Sequence, residues 1–208
     1  MCFSATASFA AGAVLSTTGV VTIKKTLTKS EIPFAAIPIL FGIQQGIEGL
    51  VWLSFGYNMP VFSQISTYAF IFFAYILWPT FVPFAIRSLE TDFHRKQILG
   101  VFQGLGLGVS LYLLYFIFSH PIVAHIANKS IAYPMPHEYG PLVMGLYLLA
   151  TCVACFFSSN RIINIFGTLI AVSFGAAYYF YTTTFVSVWC FFGAILSVAV
   201  YWYFRREK

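Results

Sequence analysis

The residues best able to do chemistry stand together around position 48. Glu48 is the one ionisable side chain well inside an apolar run, with Gln44 and Gln45 four and three residues before it. Those spacings put side chains on one face of a helix, and Phe41 and Trp52 continue the stripe. A carboxylate in hydrocarbon costs at least about 2.5–3.5 kcal/mol on insertion scales. Burial penalises the charged form, so the group must carry a proton or gain partners. Such an acid can bind an ion, pass a proton or hold a polar substrate. It can also be purely structural, hydrogen-bonded to Gln44 or to a neighbouring helix. Three polar side chains on one face exceed what packing requires. The expected binding site is therefore Glu48 with Gln44 and Gln45, walled by Trp52 and joined by Cys2 if the amino terminus folds back toward the acid. Gln and Ser or Thr of the first apolar run, or water, are the expected partners of Glu48.

A second set of reactive side chains lies outside the apolar runs. Cys2, His120, His125 and His137, with Met59, Met135 and Glu138 beside them, mix thiol, imidazole and thioether. That mixture suits copper or zinc. If Met1 is removed, Cys2 offers a thiol and an amine together, either a metal chelate or a nucleophile. His120 and His125 are five apart across Pro121, which does not match a helical zinc pair. Scattered interfacial polar residues account for them equally well, so a metal ion at this face is the weaker expectation, and no other cofactor is defined. Cys152 and Cys155 have CxxC spacing but lie in an apolar run with Cys190 elsewhere in another, where thiols behave as small hydrophobes.

The elements that position these residues follow from composition. Hydrophobic residues make up 60% of the 208 and charged residues 8%, with a mean hydropathy of +0.84. A soluble domain carries about 25% charged residues, so soluble and disordered chains are both excluded. The expected class is an all-α integral membrane protein. A helix crosses the hydrocarbon in about 20 residues, and seven apolar runs are long enough: 5–23, 33–55, 62–86, 98–119, 139–157, 162–181 and 185–204. They form a seven-helix bundle in a single transmembrane domain. The runs are continuous, unlike the alternating segments of about 10 residues in a barrel. No internal repeat is evident. The region ahead of the first run lacks a positive charge, so no cleavable signal is expected.

Orientation follows from the basic residues. Lys24, Lys25, Lys29, Arg87, Arg95, Lys96, Arg161, Arg205, Arg206 and Lys208 fall after the first, third and fifth runs and in the tail, leaving only Lys129 on the other side. The amino terminus is expected outside and the carboxyl terminus in the cytoplasm. The net charge of +5 then sets orientation and does not indicate nucleic acid. Glu48 falls about eight residues from the outer end of its helix, or roughly 12 Å deep.

Packing signals are separate from the chemical ones. Gly100, Gly104 and Gly108 recur every four residues, a pattern that lets backbones approach within or between chains, so an oligomer is expected through them if they do not pack internally. Gly42, Gly46 and Gly49 line one side of the second run. The first run is rich in small residues and is expected inside the bundle. Pro79 and Pro83 should kink the cytoplasmic half of the third. The 24 Phe residues read as lipid-facing or core filler, because their spacing alone defines no aromatic cage.

With Met-Cys-Phe-Ser-Ala at the start and Phe41-Gly42-Ile43-Gln44-Gln45-Gly46-Ile47-Glu48-Gly49-Leu50-Val51-Trp52 in the second run, the chain resembles an uncharacterised family of bacterial multi-pass membrane proteins. Its members are similar in that opening and in a Gln/His-x-x-Glu-x-x-x-Trp signature. The resemblance covers about the first 90 residues. It implies a bacterial cytoplasmic membrane and that Cys2, Gln45, Glu48 and Trp52 belong to the shared pattern; no activity carries over. A retinal protein would need a Lys in the last run, and a ceramidase-like zinc hydrolase an intramembrane His set; neither is present. The leading expectation is binding or transport of a small molecule or ion at Glu48. The alternatives are an outward-facing enzyme or metal protein using Cys2 and the His residues, and a structural or assembly protein.

Overall fold

The computed structural model describes residues 4–135 and 140–206. Seven helical segments are long and apolar enough to cross a membrane: Ala5–Ile23, Lys29–Gly56, Pro60–Leu89, Phe93–Ser119, Gly140–Phe157, Arg161–Phe180 and Thr182–Arg205. They are called the first to seventh spans below. The largest departure from the sequence-based bounds is the fourth span, which starts at Phe93 and not at Ile98. Asp92 explains the difference. Its side chain accepts the Arg95 N–H at 2.8 Å, an N-cap strong enough to start the helix inside the charged segment.

The second span is the centre of the bundle and the first is not. Of their most apolar stretches, 61% of residues are buried in the second span against 28% in the first. The small residues of the first span serve one close contact rather than a central position. A Cβ on Gly42 would stand 2.5 Å from Ser16 Oγ, and one on Gly19 would stand 2.5 Å from the Ile39 nitrogen. The opposite side of that helix, including Val14, Val20 and Val21, is exposed.

Prolines shape the third span by releasing carbonyls. Its middle, Phe72–Leu77, is a π-helical turn between helices Pro60–Ile71 and Trp78–Leu89. Pro79 has no N–H, so the Ala74 carbonyl five residues back is open, and the Tyr147 hydroxyl donates to it at 2.6 Å. Ser110 donates to the Ile76 carbonyl at 2.8 Å. Pro83 likewise leaves the Pro79 carbonyl open, and that oxygen points at the fourth span. A Cβ on Gly106 would stand 1.8 Å from it. Gly106 is therefore the close-approach glycine of the fourth span. Gly104 and Gly108 meet no atom within 4 Å among the described residues, while Gly100 faces the Arg87 side chain. The regular glycine stripe thus turns away from the internal contact, and the residue between two of its members makes that contact.

The connection between the fourth and fifth spans carries the one sheet among the described residues. His125–Ala127 pairs antiparallel with Ser130–Ala132. Asn128 and Lys129 turn the chain at φ 47° and 62°, the left-handed pair that a two-residue hairpin requires. The second strand is buried, and Tyr133 stacks on Phe70 with centroids 4.4 Å apart. Gln64 donates to the Ile122 carbonyl at 2.9 Å. The connection expected as a plain loop is folded down onto the second and third spans.

At the opposite end Glu90 joins two connections. Its carboxylate accepts the Ser159 N–H at 2.8 Å, the Ser159 hydroxyl at 2.9 Å, and the N–H groups of Thr91 at 3.1 Å and Asp92 at 3.2 Å. Burial alone would raise this carboxyl, but the hydrogen bonds outweigh it and hold it below the ordinary 4.5. A lowered folded value stabilises above the ordinary value, and the stabilisation is lost as pH falls through the lowered one. Thermal unfolding in detergent should therefore show stability falling as pH drops below about 4.5, with a flatter acid limb for Glu90→Gln. A second expectation concerns Gly106. Gly106→Ala should destabilise by about 3 kcal/mol or more through overpacking, whereas Gly104→Ala should stay within about 0.5 kcal/mol.

Candidate functional site

Glu48 is fully buried and is held from two spans. The Ser187 hydroxyl, 139 residues away in the seventh span, donates to Glu48 Oε1 at 2.5 Å. Gln45 Nε2, one turn earlier in the same helix, reaches Glu48 Oε2 at 3.4 Å. The seventh span thus supplies the hydroxyl partner expected from the first. Ser8 of the first span is buried, but its hydroxyl makes no hydrogen bond.

The neighbouring amide ties in the third span. Trp78 Nε1 donates to Gln44 Oε1 at 2.8 Å. An indole N–H can only donate, so this bond fixes the orientation of the Gln44 amide. Its Nε2 is then buried without a hydrogen-bond partner, as are Gln45 Oε1 and Trp52 Nε1. A buried polar group without a partner costs about 1–3 kcal/mol. Two of these atoms belong to the amides that precede Glu48 on its own helix. Trp52 is half-buried one turn beyond Glu48, among the apolar residues that pack on Phe70 and Ile71.

On the other side of Gln44 the interior opens into a cavity of about 50 Å³. Its walls come from five spans: Phe41, Trp78, Tyr147, Phe166 and Trp189, together with Cys190. All six are buried. Phe41 and Trp78 stack with centroids 3.9 Å apart. Trp189 Nε1 donates to the Ile170 carbonyl at 3.3 Å, so both indoles are pinned through their nitrogens. The Cys190 thiol faces the Gln44 amide and the Glu48 carboxyl. It lies one helical turn from Ser187, which places the acid about 5 Å along the bundle from the thiol.

Sequence reasoning marked Trp78 only for its proline neighbour and did not mark Ser187, Tyr147, Phe166 or Trp189 at all. No spacing could have found them, because each stands on a different helix or far from its partner. The signal present was the rarity of interior tryptophan: the chain has four, and two of them line this cavity.

His120 and His125 do not join this centre. His120 is exposed and stacked on Phe116, and His125 is exposed on the hairpin. Cys2 and His137 lie outside the described residues. Among the described residues no three His, Cys, Asp or Glu side chains converge. Cys152 and Cys155 are buried and not joined by a disulfide, with Cys155 Sγ donating to the Thr151 carbonyl at 3.3 Å.

Fold and site define a bundle of seven helices of membrane-spanning composition around a buried acid and an aromatic cavity. The chain belongs to a family of unknown function (DUF6629), which it matches over residues 1–208. No curated protein and no solved structure matches it.

The Trp78 bond can be tested by itself. Trp78→Phe keeps the ring against Phe41 but leaves Gln44 Oε1 unpaired, and should cost about 1–3 kcal/mol in thermal unfolding. Trp202→Phe, at an exposed position, should cost nothing measurable.

Proposed function

We propose that the protein is a multi-pass protein of the bacterial cytoplasmic membrane that binds and moves a small molecule or ion through a centre organised by Glu48. The observation that carries the reading is a fully buried acid whose adjoining amides, Gln44 Nε2 and Gln45 Oε1, are themselves buried without partners. Gln45 is suited to both states of that acid. Its NH₂ donates to the carboxylate, and its oxygen is open to accept from the protonated form after a rotation of the amide. Ser187 can do the same, since a hydroxyl both donates and accepts. An acid whose two neighbours accommodate either protonation state can release and regain a proton without rebuilding the bundle. Among the described residues, Cys190 is the titratable group that faces Glu48, with Tyr75 beyond it. Ten basic residues against one set the orientation of this reading, with the amino terminus outside.

The test is flux in proteoliposomes of purified protein, followed with an enclosed pH-sensitive dye under an imposed gradient. Wild type should show a protein-dependent, pH-dependent flux. Glu48→Gln, which keeps size and hydrogen bonding but cannot ionise, should abolish it. Ser187→Ala should reduce it. A Glu48→Gln protein that folds and conducts as wild type does would overturn the role of the acid.

A further inference from the structure

The cavity next to Glu48 has walls of an unusual kind for a polar centre. It is ringed by aromatic side chains, and its own polar atoms are already engaged. The Tyr147 hydroxyl donates to the Ala74 carbonyl at 2.6 Å, and the Thr151 hydroxyl donates to the Tyr147 carbonyl at 2.9 Å. A hard cation such as sodium or magnesium needs several oxygen ligands, and the side chains of these walls offer only the Tyr147 and Thr151 hydroxyl oxygens. Ring faces attract a weakly hydrated cation, the more so where water is excluded. A cation in an apolar interior also needs a counter-charge. Among the described residues, Glu48 is the carboxylate that faces a wall of this cavity, through Cys190.

From these features we infer that the cavity is a binding site for a small organic ammonium ion, with the aromatic side chains as its cage and Glu48 as its counter-ion. The inference rests on Glu48 being the exchanging acid of the proposed function and names what it exchanges its proton for. Size sets the class. One water needs about 10–15 Å³ of such space, so about 50 Å³ holds an occupant of roughly four or five non-hydrogen atoms. Trimethylammonium and tetramethylammonium are of that size. Charge balance sets the mechanism: the ammonium enters with its positive charge as the Glu48 proton leaves to water, so the interior charge is the same before and after. Two walls of the cage reach the polar centre, Trp78 by its bond to Gln44 and Cys190 by facing both Gln44 and Glu48, so occupancy of the cage and the protonation state of Glu48 are joined through them. Cys190, Tyr75 and Tyr147 are the other titratable groups around this path, and none of them supplies a negative charge while protonated.

The experiment is titration of purified full-length protein in a maltoside detergent, which contains no quaternary amine of its own. Tetramethylammonium is the probe and tert-butanol its neutral counterpart of equal size, with tryptophan fluorescence as the readout because Trp78 and Trp189 form the walls. Tetramethylammonium should give a saturable change, and tert-butanol should give none. Binding should weaken about tenfold for each unit of pH below the titration of Glu48. It should weaken about tenfold or more in Trp189→Leu, be retained within about threefold in Trp189→Phe, which keeps a ring, and be lost in Glu48→Gln. Saturable binding of both probes, or of neither, overturns the inference. The infrared carboxyl band of Glu48 separates the two readings: a band that titrates in a protein that ignores tetramethylammonium removes the ammonium site and leaves the proton role. A band that never titrates, with no flux, removes both.

Discussion

A carboxylate out of reach of water has to be compensated, and the architecture is arranged around that requirement. Glu48 takes one bond from its own helix and one from the seventh span. Gln44, a turn away, takes one from the third. The third and seventh spans are therefore bound to one stripe of the second by polar contacts that tolerate little displacement, because in an apolar interior a lost partner is not replaced by solvent. The high burial of the second span follows. A helix with an acid and two amides on one face cannot present that face to lipid.

The same economy of partners runs through the third span. Two prolines release carbonyls, and each released carbonyl is met. Tyr147 reaches Ala74 from the fifth span, and the Pro79 oxygen lies against the Cα of Gly106 in the fourth. A helix made of donors and acceptors in register has nothing to offer its neighbours. One interrupted by prolines has free acceptors at defined heights, and those acceptors register the bundle. The π-helical turn at Phe72–Leu77 is the local cost of that registration.

How much of this was legible in the sequence depends on how far apart the interacting residues lie. The number of long apolar helices and the shared face of Gln45 and Glu48 follow from local periodicity, and the structure reproduces them. The capping strength of Asp92 was underweighted, so the fourth helix was begun too late. The regular spacing of Gly100, Gly104 and Gly108 says which residues share a face but not which face meets a neighbour. Gly106 breaks the pattern and makes the contact because a proline twenty-three positions earlier freed an oxygen toward it. The aromatic cavity was invisible for a stronger reason. Its walls come from five helices, and no window along the chain contains residues from more than two of them.

The bond between Ser187 and Glu48 has a consequence for how the molecule is made. Ribosomes deliver the acid first and the hydroxyl 139 residues later, an interval of roughly 10–30 s at ordinary elongation rates. Until Ser187 has been made, the acid lacks the hydrogen bond that the seventh span supplies, and a chain stopped short of that residue never gains it.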